Sequence, residues 1–281
     1  MNSHHSTRRG FLGGAIAAGI AGSANVGLAA PAADAGDIKL GVATYSLREF
    51  QRGLALRMMR RIGVTYASVK EYHLPYSSSP AELARGVKDF EQAGVIIAGG
   101  GVIYLQKDDD ADIRRYFEYA RACRMPVIAI GPTRQTLPRI EKFVKEYNIK
   151  AAIHNHGPED KHFPSPEVAL KALEGMDPRM GVCIDVGHTT RTGTSAVESI
   201  RAAGPRLLDM HIKDLRDLKN GDSQCPVGEG AMPVADIFKE LKRMNYQGCV
   251  NLEYEIEGDD PMLGMAKSFA YMRGVLAGLK G

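Results

Sequence analysis

The stretch Gly181–Gly193, GVCIDVGHTTRTG, decides how the rest of the chain is read. Its first residues are small and apolar, as in a strand buried on both faces. The run ends in a carboxylate, Asp185, and an imidazole, His188, follows three residues later. Neither group can be buried unpaired without a large desolvation cost. Asp185 can cap a following helix, pair with a lysine such as Lys213, or join a metal site.

Outward from this stretch, short apolar runs alternate with segments of helical period from about residue 38 to the end. Residues 38–46, 66–73, 95–104, 126–132, 150–156, 181–188, 207–214 and 248–255 read as strands. Residues 53–63, 79–94, 109–123, 137–148, 165–175, 194–204, 233–245 and 261–279 read as helices. In the second helix Ser79 suits the cap, Pro80 the first position, and Gly94 the stop. Eight strand–helix units in roughly 245 residues match an α/β chain folded as a single (β/α)8 TIM barrel, typically about 250 residues. An open doubly wound sheet would want a glycine-rich turn after the first strand, and GVATYSLREF (41–50) has none. No linker or composition break divides residues 37–281, which are read as one domain.

Residues 1–36 are read apart from the barrel. Arg8 and Arg9 are followed by Phe11, Leu12 and a weakly apolar Gly/Ala run. This resembles a bacterial twin-arginine export signal, with cleavage between Ala29 and Ala35. The export machinery is therefore an expected partner and the periplasm or exterior the expected location. Ala and Gly supply too little insertion energy for a good permanent span. The formal charge of +3 is too small to argue for nucleic acid or an anionic membrane. Cys123, Cys183, Cys225 and Cys249 form no C-x-x-C, which argues against a zinc knuckle. The apolar setting of Cys123, Cys183 and Cys249 suggests free buried thiols.

In such a barrel, reactive groups gather at the C-terminal ends of the strands. Strand two ends with Lys70, Glu71 and His73, strand five with His154, Asn155 and His156. Strand six ends with Asp185 and His188, strand seven with His211, Lys213 and Asp214, strand eight with Glu253, Tyr254 and Glu255. Residues i and i+2 of a strand share a face, so His154 points with His156, and His211 with Lys213. Four successive strands thus offer imidazole or carboxylate at one height. Candidate metal ligands are His154, His156, Asp185, His211 and Glu253. Mixed nitrogen and oxygen donors suit Mn²⁺, Zn²⁺, Co²⁺ or Fe²⁺ better than Ca²⁺, with Mn²⁺ and Zn²⁺ foremost.

On Asp185, His188, His211 and Glu253, and on the HIKD (211–214) and VGEG (227–230) segments, the chain resembles the xylose isomerase-like TIM-barrel superfamily. That group includes sugar isomerases and epimerases, endonuclease IV-type enzymes, hydroxypyruvate isomerase and inosose dehydratase. The resemblance implies a divalent-metal-dependent sugar isomerase or epimerase that abstracts a proton α to a carbonyl. Glu253 would be the base, with Lys213 and His188 assisting. Lys70, Glu71, His73, His188 and Lys213 would contact a small carbohydrate. The epimerases carry Glu on strand five where this chain has His154. That departure favours single-face chemistry, including β-elimination on a 3-keto-glycoside, as in members of the superfamily with a similar HNH-bearing strand. The short GGG (99–101) and GEG (228–230) runs do not make a phosphate loop, so a free sugar or keto-sugar is expected. A non-catalytic sugar-binding barrel is the reading from another class. A nucleic-acid partner is not expected, and the oligomeric state, homo-oligomers included, is left open.

Overall fold

In the computed structural model, which describes residues 38–280, all eight expected strands are present and close into a parallel barrel. They are β1 (Lys39–Ala43), β2 (Tyr66–Val69), β3 (Ile96–Ile103), β4 (Val127–Ile130), β5 (Lys150–His154), β6 (Met180–Asp185), β7 (Leu207–Ile212) and β8 (Cys249–Leu252). Each pairs with its sequence neighbour, and β1 pairs with β8 to close the ring. The leader read over residues 1–36 lies outside the described residues. Among the described residues no helix is long and apolar enough to cross a membrane.

The helices α1 (Arg52–Arg61), α2 (Pro80–Gln92), α3 (Asp110–Ala122), α4 (Leu137–Tyr147), α5 (Pro166–Ala172), α6 (Val186–Arg191), α7 (Ala196–Ala203), α8 (Val234–Arg243) and α9 (Met262–Gly278) lie in the intervals between strands and after the last. Local chemistry starts and stops them. Ser79 accepts from the Glu82 amide while Glu82 reaches back to the Ser79 amide, a reciprocal cap with Pro80 at the first turn. Apolar faces of these helices bury Phe90, Phe117, Phe143, Phe238 and Phe269 against the outside of the barrel. Inside the barrel, Val127, Ala129, Ala152 and Cys183 form a second, smaller cluster. Small side chains there leave room for polar groups above them.

Two expectations change. Strands two, seven and eight end earlier than the apolar runs suggested, at Val69, Ile212 and Leu252, so Lys70, Lys213 and Glu253 sit just beyond the sheet. The sixth strand stops at Asp185, and α6 begins at once, so His188 lies on a helix. The glycines 99–101 serve close strand packing: a Cβ on Gly101, which has φ +104, would fall 2.2 Å from the Ala129 carbonyl oxygen. All four cysteines are free and buried.

Candidate metal centre and substrate cavity

The polar end of β6 has several partners at once. Asp185 Oδ1 accepts from the His188 amide at 2.8 Å and caps α6. Its other oxygen, Oδ2, lies 3.1 Å from Lys213 Nζ and 3.9 Å from His154 Nε2. Gly187 makes room for this: a Cβ there would come within 2.7 Å of the Lys213 stem. Asn155, the middle residue of HNH, turns away from the barrel mouth. It accepts from the Asp185 amide at 3.1 Å and donates to Thr189 Oγ1 at 3.0 Å, bracing the strand–helix junction.

Beside Asp185, His154 Nε2 lies 2.9 Å from His211 Nδ1, which lies 3.2 Å from Glu253 Oε2. All four side chains are buried, and one ligand-capable atom from each lies within 4.8 Å of the others. Ligands placed tetrahedrally at roughly 2.0–2.1 Å from an ion stand about 3.3–3.4 Å apart, close to these spacings. One proton cannot satisfy several lone-pair atoms converging on His211 Nδ1, whereas a cation can. Burial, reinforced by neighbouring histidines, holds His154 well below the usual imidazole range, leaving it neutral with a ring-nitrogen lone pair to offer. The far ring nitrogens, His154 Nδ1 and His211 Nε2, are buried without a protein partner, so packing rather than outer hydrogen bonds orients both rings. The donor set of two imidazoles and two carboxylates fits a divalent transition metal.

Two lysines compensate the carboxylates. Lys213 Nζ contacts Glu253 Oε2 at 3.2 Å and Glu255 Oε2 at 2.5 Å as well as Asp185. Lys70 Nζ lies 3.4 Å from Glu253 Oε1. Burial alone would push the Glu253 carboxyl up, but His211, Lys213 and Lys70 together hold it well below the usual range. Burial likewise opposes the Lys213 charge, and Asp185, Glu253 and Glu255 overcome it, holding the ammonium well above its usual range. Lys213 therefore pairs across the site, while Asp214 organises the VGEG loop, accepting from the amides of Gly228, Gly230 and Met232.

Above the four residues is a cavity of about 280 Å³ lined by Tyr45, Lys70, Glu71, Tyr104, His156 and Glu255, among others. A larger cavity of about 730 Å³ opens among the strand starts at the other end. It is lined by no histidine or carboxylate, whereas the smaller cavity is lined by His154, His156 and Glu253.

His156 shares the mouth with His154, their ring centroids 4.4 Å apart, but stays outside the converging set. Its Nδ1 lies 3.4 Å from Asp160 Oδ2 and its Nε2 3.4 Å from Tyr104 Oη. Of the two strand-five histidines, His154 is thus the candidate ligand, and His156 lines the cavity. His188 accepts at Nδ1 from Arg191 Nη2 at 2.8 Å, which leaves its ring proton on Nε2. Lys70 and Glu71 line the cavity. His73 does not. It is buried behind β2, where its Nε2 lies 3.2 Å from the Phe50 carbonyl oxygen.

Residues that sequence reasoning passed over complete the site. Gln224 donates to the Glu253 carbonyl and accepts from the Glu255 amide, both at 2.8 Å. Ser46 accepts from the Tyr254 amide at 2.8 Å. Together they hold the segment past β8 in place. Neither residue is an ionisable group at the end of an apolar run, so neither carried a sequence signal.

A model of the xylose isomerase-like TIM barrel matches residues 56–275. The uncharacterized protein MJ1311 of Methanocaldococcus jannaschii is 27% identical over 125 residues, 42% of this chain. The matched region spans only 41% of that relative's length. A solved D-psicose 3-epimerase superposes with TM-score 0.69 at 20% identity, covering 85% of this chain and 99% of its own. The probable 3-DHS dehydratase AsbF of Bacillus anthracis superposes with TM-score 0.68 at 13% identity, covering 83% and 99%. At these identities the two structures speak to the fold alone. The family match spans most of the chain and agrees with the closed barrel: this chain belongs to the xylose isomerase-like TIM barrel family.

Proposed function

We propose that this chain is a divalent-metal-dependent enzyme that abstracts a proton α to a carbonyl of a free sugar or keto-sugar. The carrying observation is the convergence of His154, Asp185, His211 and Glu253 beneath a polar cavity. His154, Asp185, His211 and Glu253 would hold the ion. When bound, it supplies Lewis acidity that lowers the pKa of the α-proton.

Glu253 takes the proton. Its carboxylate is ionised and faces the cavity, held by Lys70 on one oxygen and Lys213 on the other. A carboxylate so stabilised is a weak base, so positioning must do much of the work. Lys70 also stands at the cavity wall, where its ammonium can stabilise developing negative charge. His188 carries a proton at Nε2 and stands behind the cavity wall, its ring 5.7 Å from that of His156. Both lysines are committed to carboxylates, which fits an unphosphorylated substrate.

A second reading, β-elimination from a 3-keto-glycoside, is favoured by His154. An imidazole at the strand-five position leaves Glu253 as the base on one face of the substrate, and elimination needs only one. The test is incubation of the Mn²⁺-loaded protein with a panel of free ketoses, aldoses and 3-keto-glycosides in D₂O, followed by NMR. Deuterium entering the α-position, with isomer or elimination product, is expected. Tight binding without exchange for every member would mean a sugar-binding barrel instead.

A further inference from the structure

The two halves of the barrel mouth differ in chemistry. The converging ligands come from β5, β6, β7 and the segment after β8. The other half, around β1 to β3, presents Tyr45, Tyr72 and Tyr104 to the same cavity. Tyr72 and Tyr104 are 49% and 58% exposed, and they belong to the few large apolar side chains left open among the described residues.

Both rings are held in place despite their exposure. The Tyr104 ring lies on the backbone of Gly131, where a Cβ would come within 2.7 Å of it. It stacks on His156 at 5.9 Å between centroids and 21° between planes, and its hydroxyl lies 3.4 Å from His156 Nε2. Tyr72 packs edge-on against Tyr45 at 5.8 Å, and the Arg48 guanidinium covers Tyr45 at 4.5 Å. An aromatic face fixed in advance binds a ring with little further loss of side-chain freedom. The enclosed volume is about 280 Å³. This falls just under the roughly 300–1,000 Å³ usual for small-ligand sites, so a substituent on the metal-proximal sugar must extend to the open rim.

We propose that Tyr72 and Tyr104 form a second subsite that holds a ring attached to the reacting sugar, so that the substrate is a glycoside rather than a monosaccharide. This rests on the carbohydrate reading of the candidate metal centre in its second, 3-keto-glycoside form. The chemistry recognised is a flat, weakly polar ring face, which an aryl group or a second sugar ring can provide.

The test is calorimetric titration of Mn²⁺-loaded full chain with the methyl, phenyl and glucosyl 3-keto-D-glucosides, each as both anomers. For the wild-type protein, the phenyl or the glucosyl compound should bind roughly three- to tenfold more tightly than the methyl compound, the gain expected of one stacked ring. The stronger of the two names the source of the ring. In Tyr72→Ala/Tyr104→Ala, whose melting temperature is checked alongside, the ratio should fall to within about twofold of unity. A wild-type ratio near one, or a ratio that survives the double variant, overturns the subsite while leaving the carbohydrate reading intact. Absence of binding by all three compounds overturns the keto-glycoside reading and the subsite with it, and leaves the free-sugar reading to the D₂O exchange experiment.

Discussion

Lys213 Nζ lies 3.1 Å from Asp185 Oδ2, and both side chains are almost fully buried. The same ammonium reaches Glu253 Oε2, so one cation faces both carboxylates of the candidate metal centre. It offsets their charge, yet it repels any ion arriving beside them. Lys213→Met should therefore act in opposite directions. The metal-free variant should be destabilised by about 3–5 kcal/mol, the usual result of stripping one partner from a buried pair. Its affinity for Mn²⁺ should rise at least about tenfold, since a like charge a few ångströms away is removed. Thermal unfolding in chelator and calorimetric titration measure the two effects. Unchanged or weaker metal binding would show that Lys213 positions the ligands rather than competing with the ion.

Glu253→Gln should lower the rate of α-proton exchange by roughly 10²–10⁴, the range of a lost general base. Substrate binding should change only a few fold, because the amide keeps the shape but cannot accept the proton. Metal content is measured in the same samples. A fully loaded variant with normal kcat would move the base elsewhere.

His154→Glu places a carboxylate at the strand-five position. Metal affinity should increase, since a negative ligand replaces a neutral one. Any epimerisation should grow relative to isomerisation or elimination, because a second base now faces the substrate. Product ratios by NMR decide this. Efficient epimerisation by the wild-type protein, with exchange on both faces, would contradict the single-base reading.

Away from the site, Glu240 on α8 is covered by two guanidiniums, those of Arg243 and Arg201. Their hydrogen bonds lower its carboxyl to about 2 in the folded chain, from an ordinary 4.5. A depressed folded value stabilises above the unfolded pKa, so this contribution is full above about pH 5 and fades as pH falls through about 2. Glu240→Gln should lower the melting temperature at pH 7 and leave it nearly unchanged near pH 2. An equal loss at both pH values would mean that packing, not charge, is responsible.

Periodicity carried the barrel, because strands buried on both faces and helices with one apolar face leave different repeats in a sequence. Asp185, His211 and Glu253 were legible for a related reason: a charged or ionisable residue at the end of an apolar run needs a partner. His154 and His156 could not be separated that way. Two residues apart, they share a face, and only depth in the barrel sends one to the cluster and the other to Tyr104 and Asp160. His73 read as a site residue because strand two was taken to residue 73. The chain leaves the sheet after Val69 and turns, with the His73 amide bonded to the Lys70 carbonyl, which takes the imidazole behind the strand.

The sequence by itself determined the eight-fold alternation, the residues at the strand ends and the candidate donor set they offer. These depend on local burial patterns and on residue chemistry, which act over a few positions. Only the tertiary structure decided which groups meet. Lys213 bridges Asp185 and Glu253, Gln224 clamps the backbone after β8, and Tyr104 rests on Gly131 across neighbouring strands. Each pairing joins segments distant in the chain, and closure of the barrel sets the heights and facings that bring them within reach.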